Sequence, residues 1–373
     1  MLTPLDDYPL HQTPEPVANY GSPSRNAYDR YFFNGYTPDG SLFFAVAMGL
    51  YPNRQVIDAS ISVLADGVQR SLHASGRAPL DRRQTLVGPI SVEVVEPLRT
   101  LRVVVDDPEQ GFSADLAFSA RTPMVEEPRF THRQGPMLTF DYTRMSQWGS
   151  WSGTLTVDDQ TWVLDDMGVL GTRDRSWGIR PVGEREAGGA PGPDPQFFWL
   201  WSPINFDDCC THFDSNEYPD GRPWHRFASI APLLATPGAA VSGAEQPAEP
   251  MRDANWSIDW EPGTRRARAA TLELVPWRGE VEHIELEPIV TFQMLGLGYL
   301  HPEWNHGNWH DELAVGDETW TVADLDPLDP RHIHVQQVVR ATWGERTGIG
   351  VLEQLAIGPH EPSGLTGLFD GAG

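Results

Sequence analysis

Glycine and proline interrupt this chain every few residues, and the segments between them alternate apolar and polar side chains with a period of two. With 35 glycines and 33 prolines in 373 residues, long helices have no room, and period-two alternation is the pattern of a strand with one buried face. Residues 41–48, 56–63, 90–95, 100–105 and 113–118 follow one another in this way with short connections. A second series starts at 151–157, turns at Asp158-Asp159-Gln160 and returns over 161–164, as a hairpin would. It continues over 196–202, 269–275, 281–286, 332–338 and 348–352. The expectation is a mostly β protein of antiparallel barrels or sandwiches.

The length suits two domains or one large one. Two segments read as loops: 183–195, with its Gly-Gly-Ala-Pro-Gly-Pro-Asp-Pro run, and 231–252, rich in Ala, Pro and Gly without periodicity. Taking the first as the boundary gives an extension over 1–28, one domain over 29–190 and a second over 191–373. The two halves differ in aromatic chemistry, because all 14 tryptophans lie between Trp148 and Trp343. Either the second half has larger core residues or it lines a ligand cavity with aromatic faces.

All 27 basic residues are arginine, which excludes Schiff-base, pyridoxal-phosphate and P-loop chemistries that need a lysine. Against 52 acidic residues they leave a formal charge of −25. Such an excess argues against a nucleic-acid or anionic-membrane partner and favours a neutral or apolar small molecule. No run approaches the 18 or so apolar residues of a spanning helix, and the first twenty residues have neither a cationic start nor an apolar stretch. A cytoplasmic protein is expected. Cys209 and Cys210 are adjacent, where a bridge would be strained, and read as reduced thiols.

The most unusual segment is Gly-Thr-Arg-Asp-Arg-Ser-Trp-Gly-Ile-Arg, residues 171–180. As a strand it turns Thr172, Asp174 and Ser176 to one face and Arg173, Arg175, Trp177 and Ile179 to the other. If the first face is a barrel interior, desolvation raises the Asp174 pKa and makes it a proton donor near neutral pH. Alternatively, Asp174 is permanently ionised in an Arg-Asp-Arg network that joins sheets or domains, with Trp177 a core plug.

The order Gly-x-Arg-Asp-Arg-Ser-Trp-Gly-x-Arg, followed about twenty residues later by Trp199-Leu-Trp201, resembles the signature of a two-domain lipocalin-like superfamily. That superfamily contains the carotenoid hydratases (hydroxyneurosporene synthases) and the AttH-like proteins. The resemblance implies two calycin-like antiparallel β-barrels side by side and chemistry on apolar substrates, either hydration of a terpenoid double bond or, as in fungal relatives, polyene cyclisation. It also implies that Asp174 matches the carboxylate proposed as proton donor and that Trp177, Trp199 and Trp201 match aromatic positions. Arg173 stands where the hydratases generally have His.

The resulting expectation is acid-catalysed hydration, dehydration, isomerisation or cyclisation of an apolar terpenoid, steroid or polyketide-like alkene. Asp174 is the general acid, with Arg173 and Arg180 positioning it or the ligand. Trp177, Trp199 and Trp201 line the pocket, and Asn205 or His212 holds a water. No metal or other cofactor is expected. A carrier or sensor that binds an apolar ligand without converting it is the alternative.

A third class, a metal enzyme, would draw on His301, Glu303, His306 and His310, four potential ligands within ten residues. Their Pro- and Gly-containing segment cannot be the helix of an HExxH site, and it reads better as a loop closing a barrel end. His332 and His334 would share one strand face, but no carboxylate follows at a matching distance.

Overall fold

A computed structural model describes residues 1–183, 190, 192, 194–236 and 248–373. Most of the two expected loops, and the expected boundary at 190/191, fall on or beside residues outside that set. The ends of the second loop are strands, since Pro223–Pro232 carries a long strand as far as Pro232 and Glu249–Pro250 pairs with it.

The chain forms two antiparallel sheets, with no α-helix among the described residues. The first is ordered Leu313–Thr321, Val68–Arg77, Val56–Ala65, Leu42–Tyr51, Ala27–Tyr36, Leu170–Ile179, Met137–Val157, Phe112–Ala120, Thr100–Asp107, Ile90–Glu96 and Leu86–Val87. Its outermost strand, Leu313–Thr321, arrives from late in the chain to pair with Val68–Arg77. The second runs from Glu249–Pro250 through Pro223–Pro232, Cys209–Glu217, Phe197–Trp201, Arg346–Ile357, Val335–Trp343, Glu282–Gln293 and Ala267–Val275 to Asp253–Trp260. Both sheets curl around their own apolar interiors, one into a nearly closed barrel, in a two-barrel, lipocalin-like arrangement.

The Leu42–Tyr51 strand explains how the two halves join. Leu42, Phe44, Val46 and Met48 face the first sheet's own core, while Phe43, Ala45 and Ala47 face a separate core between the sheets. A strand packed on both sides reads as a continuous apolar run, as LFFAVAM does. The inter-sheet core also takes Phe32, Phe292, Leu297, Trp199, Trp201 and Leu355. At roughly 25 cal/mol per Å² of apolar surface removed from water, this layer holds the halves as one body.

The period-two reading of Leu170–Ile179 holds, with one correction to where its faces point. Arg173 and Arg175 face the first sheet's core, their guanidinium carbons 5.8 Å from the Phe118 ring and 4.0 Å from the Tyr31 ring. Asp174 and Ser176 face out of that barrel toward the second sheet. The barrel interior was the expected location of the cavity, but it is filled by Phe33, Phe118, Trp151 and their neighbours.

Candidate active site

The cavity lies between the sheets and measures about 160 Å³. Three neighbouring strands of the first sheet supply one wall with alternate residues: Tyr28, Arg30 and Phe32 from Ala27–Tyr36; Phe140, Tyr142 and Arg144 from Met137–Val157; Asp174 and Ser176 from Leu170–Ile179. Strand register sets these side chains in rows. Arg30, Ser176 and Arg144 form one row, and Phe32, Asp174 and Ser146 the next. In a third row Gly178 sits between Tyr28 and Tyr142. There φ is +140°, and an added Cβ would come 2.3 Å from the Asp141 carbonyl oxygen, so only glycine fits.

The second sheet supplies the facing wall through Phe197, Trp199 and Trp201 of one strand and Glu353 and Leu355 of the next, with His334 and Tyr299 from connecting segments. Arg180, just past the end of its strand, completes the lining.

No described residue donates a hydrogen bond to the Asp174 carboxylate. Burial pushes its pKa up to about 7; Arg144 and Arg30 pull it down, and Glu127 and Glu353 push it further up. The Arg-Asp-Arg network is therefore not what forms, since Arg175 pairs with Asp29 and Arg173 donates to Gln147 Oε1 at 2.9 Å. Arg144 is a paired cation. It donates to Glu127 Oε2 at 2.7 Å and to Asp214 Oδ2 at 2.8 Å, and its guanidinium carbon lies 4.7 Å from the Trp199 ring centre. His225 and His212 overcome the effect of burial on Asp214 and hold its pKa well below the ordinary carboxylate range. Glu353 likewise stays low despite its burial, because it accepts from His334 Nε2 at 2.8 Å, Gln336 Nε2 at 2.6 Å and Trp199 Nε1 at 2.9 Å. The two cavity carboxyls thus differ: burial raises Asp174 to about 7, while its hydrogen bonds hold Glu353 below the ordinary range.

Of the residues expected at the site, Asp174, Arg180, Trp199 and Trp201 share this cavity. Trp177 does not, because it lies on the odd face of its strand and is 38% exposed. Arg173 is turned to the same odd face. Asn205 is held outside the cavity by Arg121 and Tyr36, and His212 stands behind the wall against Asp214. Tyr28, Arg30, Tyr142, Arg144 and Glu353 are not among the expected residues, and His334 is expected only as one of a pair of metal ligands with His332. A visible signal existed for Glu353, a charge inside the apolar run of residues 349–357.

The histidine loop does not assemble four ligands. His306 joins Arg30 and Arg180, while His301 meets His73 and Glu318. His73, His301 and Glu318 are close enough to suggest a metal centre. However, His301 Nδ1 accepts the backbone N–H groups of Glu303 and Trp304, so its proton sits on Nε2 and is donated to Glu318. In the other such group, Glu127, Asp214 and His225, the Arg144 guanidinium already bridges the two carboxylates. His332 and His334 precede their strand, which begins at Val335, and bond apart to the Asp326 carbonyl and Glu353.

A family model described as a family of unknown function, DUF8625, matches residues 2–366. The chain belongs to DUF8625. No curated protein matches it in sequence. Among solved structures, this DUF8625 chain is similar to an AttH candidate from Nitrosomonas europaea, with TM-score 0.53 and 14% identity over 88% of this chain and 92% of that one. It is also similar to kievitone hydratase from Nectria haematococca, with TM-score 0.53 and 13% identity over 88% of each chain. A third similar structure is CghA with Sch210972, with TM-score 0.51 and 12% identity over 89% of each chain. At these identities the likeness establishes the lipocalin-like fold of the DUF8625 chain. No helix among its described residues is long and apolar enough to cross a membrane.

Proposed function

We propose that the DUF8625 chain is a cofactor-free acid catalyst that hydrates, dehydrates, isomerises or cyclises an apolar alkene of terpenoid, steroid or polyketide type in the inter-sheet cavity. The observation that carries this reading is Asp174: a carboxyl raised to about 7 by burial on a wall opposite Trp199 and Trp201. Protonating an unactivated double bond requires an acid kept protonated away from bulk water. The cation so formed requires aromatic faces and a fixed negative charge. Asp174 supplies the proton, Phe140, Trp199 and Trp201 supply the faces, and Glu353 supplies the anion. After proton transfer the Asp174 carboxylate recovers a proton from the attacking water, or from the carbon that forms the new double bond. The kinship in fold with kievitone hydratase supports a hydration-type reaction.

The test begins with native mass spectrometry of the protein isolated from its own host and extraction of the bound compound. That compound and its alkene precursors are then incubated in D2O with the wild type and with Asp174→Asn. Deuterium incorporation by the wild type alone, with the compound still bound by D174N, is expected. Equal incorporation by both, or none by either, would overturn the reading.

A further inference from the structure

Two of the cavity's arginines lack a carboxylate partner, as does Arg173 on the opposite face of its strand, which is bonded to Gln147; several other wholly or partly buried arginines have one. Arg144 has Glu127 and Asp214, Arg175 has Asp29, and Arg265 has Asp370. Arg30 and Arg180 instead meet on one neutral ring. Arg30 Nη1 lies 3.3 Å and Arg180 Nη2 3.2 Å from His306 Nδ1. His306 Nε2 donates to the Leu297 carbonyl at 2.8 Å, which leaves Nδ1 as the acceptor. Burial, together with the two guanidinium groups, holds His306 well below its ordinary pKa. Arg30 is 2% exposed and also donates to the Leu297 carbonyl at 3.4 Å.

Among the described residues no carboxylate forms an ion pair with Arg30 or Arg180. Asp174 and Asp58 lie in the field of one or both without bonding either. Three buried polar atoms at this end have no partner: Arg30 Nε, Arg180 Nε and Tyr28 Oη. Tyr28 is fully buried, with the Arg180 guanidinium carbon 4.7 Å from its ring centre. Desolvated guanidinium groups without an anion are costly, and the Tyr299 ring, 4.7 Å from the Arg30 and 5.8 Å from the Arg180 guanidinium carbon, supplies an aromatic face but no full negative charge.

We infer that the missing countercharge belongs to the ligand: Arg30 and Arg180 bind a carboxylate on the substrate, with Tyr28 Oη as an additional donor. The ligand is then amphiphilic, with its apolar body against Phe140, Phe197, Trp199 and Trp201 and one anionic end at the arginine pair. This inference rests on the small-molecule reading of the same cavity.

The test compares trans-cinnamate with methyl trans-cinnamate by isothermal titration calorimetry near neutral pH, where the acid is ionised and the ester is not. The wild type is expected to bind the carboxylate at least roughly tenfold more tightly, in keeping with a charge-assisted bidentate contact. Arg30→Gln/Arg180→Gln should abolish the difference while leaving ester affinity in place, and Arg30→Lys/Arg180→Lys should retain part of it. Equal binding of acid and ester by the wild type, a comparison that needs no variant, would overturn this inference and leave the cavity reading standing. A preference that survives in R30Q/R180Q would also overturn it. Failure of both probes to bind would overturn the cavity reading and this inference with it.

Discussion

Arg144 of the first sheet donates to Asp214 of the second at 2.8 Å, with both side chains buried. Glu127 holds the same guanidinium from its own sheet, and Ser146 donates to Glu127 at 2.6 Å. Removing the cation leaves two buried carboxylates facing each other, whereas each now has a partner. Arg144→Met is predicted to destabilise the protein by roughly 3–5 kcal/mol, measured by denaturant unfolding. A loss near zero would show that the bridge does not bind the sheets.

Asp174 makes stability depend on pH in a direction opposite to that of an ordinary salt-bridged carboxylate. Its folded pKa of about 7 lies above the unfolded value near 3.9. Between the two, the native chain keeps a proton that the unfolded chain has lost. The contribution is full below about pH 4 and declines as pH rises through 7, by at most about 1.4 kcal/mol per pH unit. Asp174→Asn lacks this loss. Its Tm should therefore match the wild type near pH 4, exceed it increasingly up to about pH 7 and keep a constant margin above that. Asp58, raised by burial to about 6, titrates in both proteins and cancels in the difference.

Turnover should follow the protonated fraction of Asp174. The kcat/KM of the wild type is predicted to be flat below about pH 6 and to fall tenfold per pH unit above about 7, while ligand affinity of D174N stays flat across the same range. A rate that rises with pH would make Asp174 a base, and the direction of proton transfer would have to be reversed.

Gly178 opens the row between Tyr28 and Tyr142. Gly178→Ala places a methyl group 2.3 Å from a backbone oxygen at a positive φ. A loss of more than about 1 kcal/mol is expected, read from thermal unfolding, together with weaker ligand binding. Unchanged stability would mean that the strand shifts freely at this point.

Chelators should leave the protein untouched. The His301 proton is committed to Glu318, and Arg144 bridges Glu127 and Asp214, so a cation at either cluster would have to displace a proton or a guanidinium group. The predicted outcome is an unchanged Tm in EDTA and no stoichiometric zinc, iron or manganese by elemental analysis. A Tm that falls on chelation would reopen the histidine loop.

The barrel strands were legible because burial on one face forces alternation; LFFAVAM, taken with them, is instead a continuous apolar run because its strand is buried on both faces. The same alternation separates Asp174 from Trp177 and Arg173, which sit on the opposite face. Trp177 was assigned to the site by resemblance and Arg173 as a neighbour of Asp174, and both assignments ran against the strand geometry. Arg30 and Arg144 were out of reach for a different reason. Each reaches the cavity through strand register and sheet packing, relations between positions distant in sequence that no local spacing encodes. The location of the cavity followed the same rule, because a gap between two sheets depends on how they dock.

The most direct measurement is a pH titration of the carboxyl infrared band, taken as the wild type minus D174N difference spectrum. The account predicts one protonated carboxyl, absent from the variant, that titrates near pH 7. A difference band already lost by about pH 4, the range of an unperturbed aspartate, would leave the cavity with no acid at neutral pH and contradict the proposed chemistry.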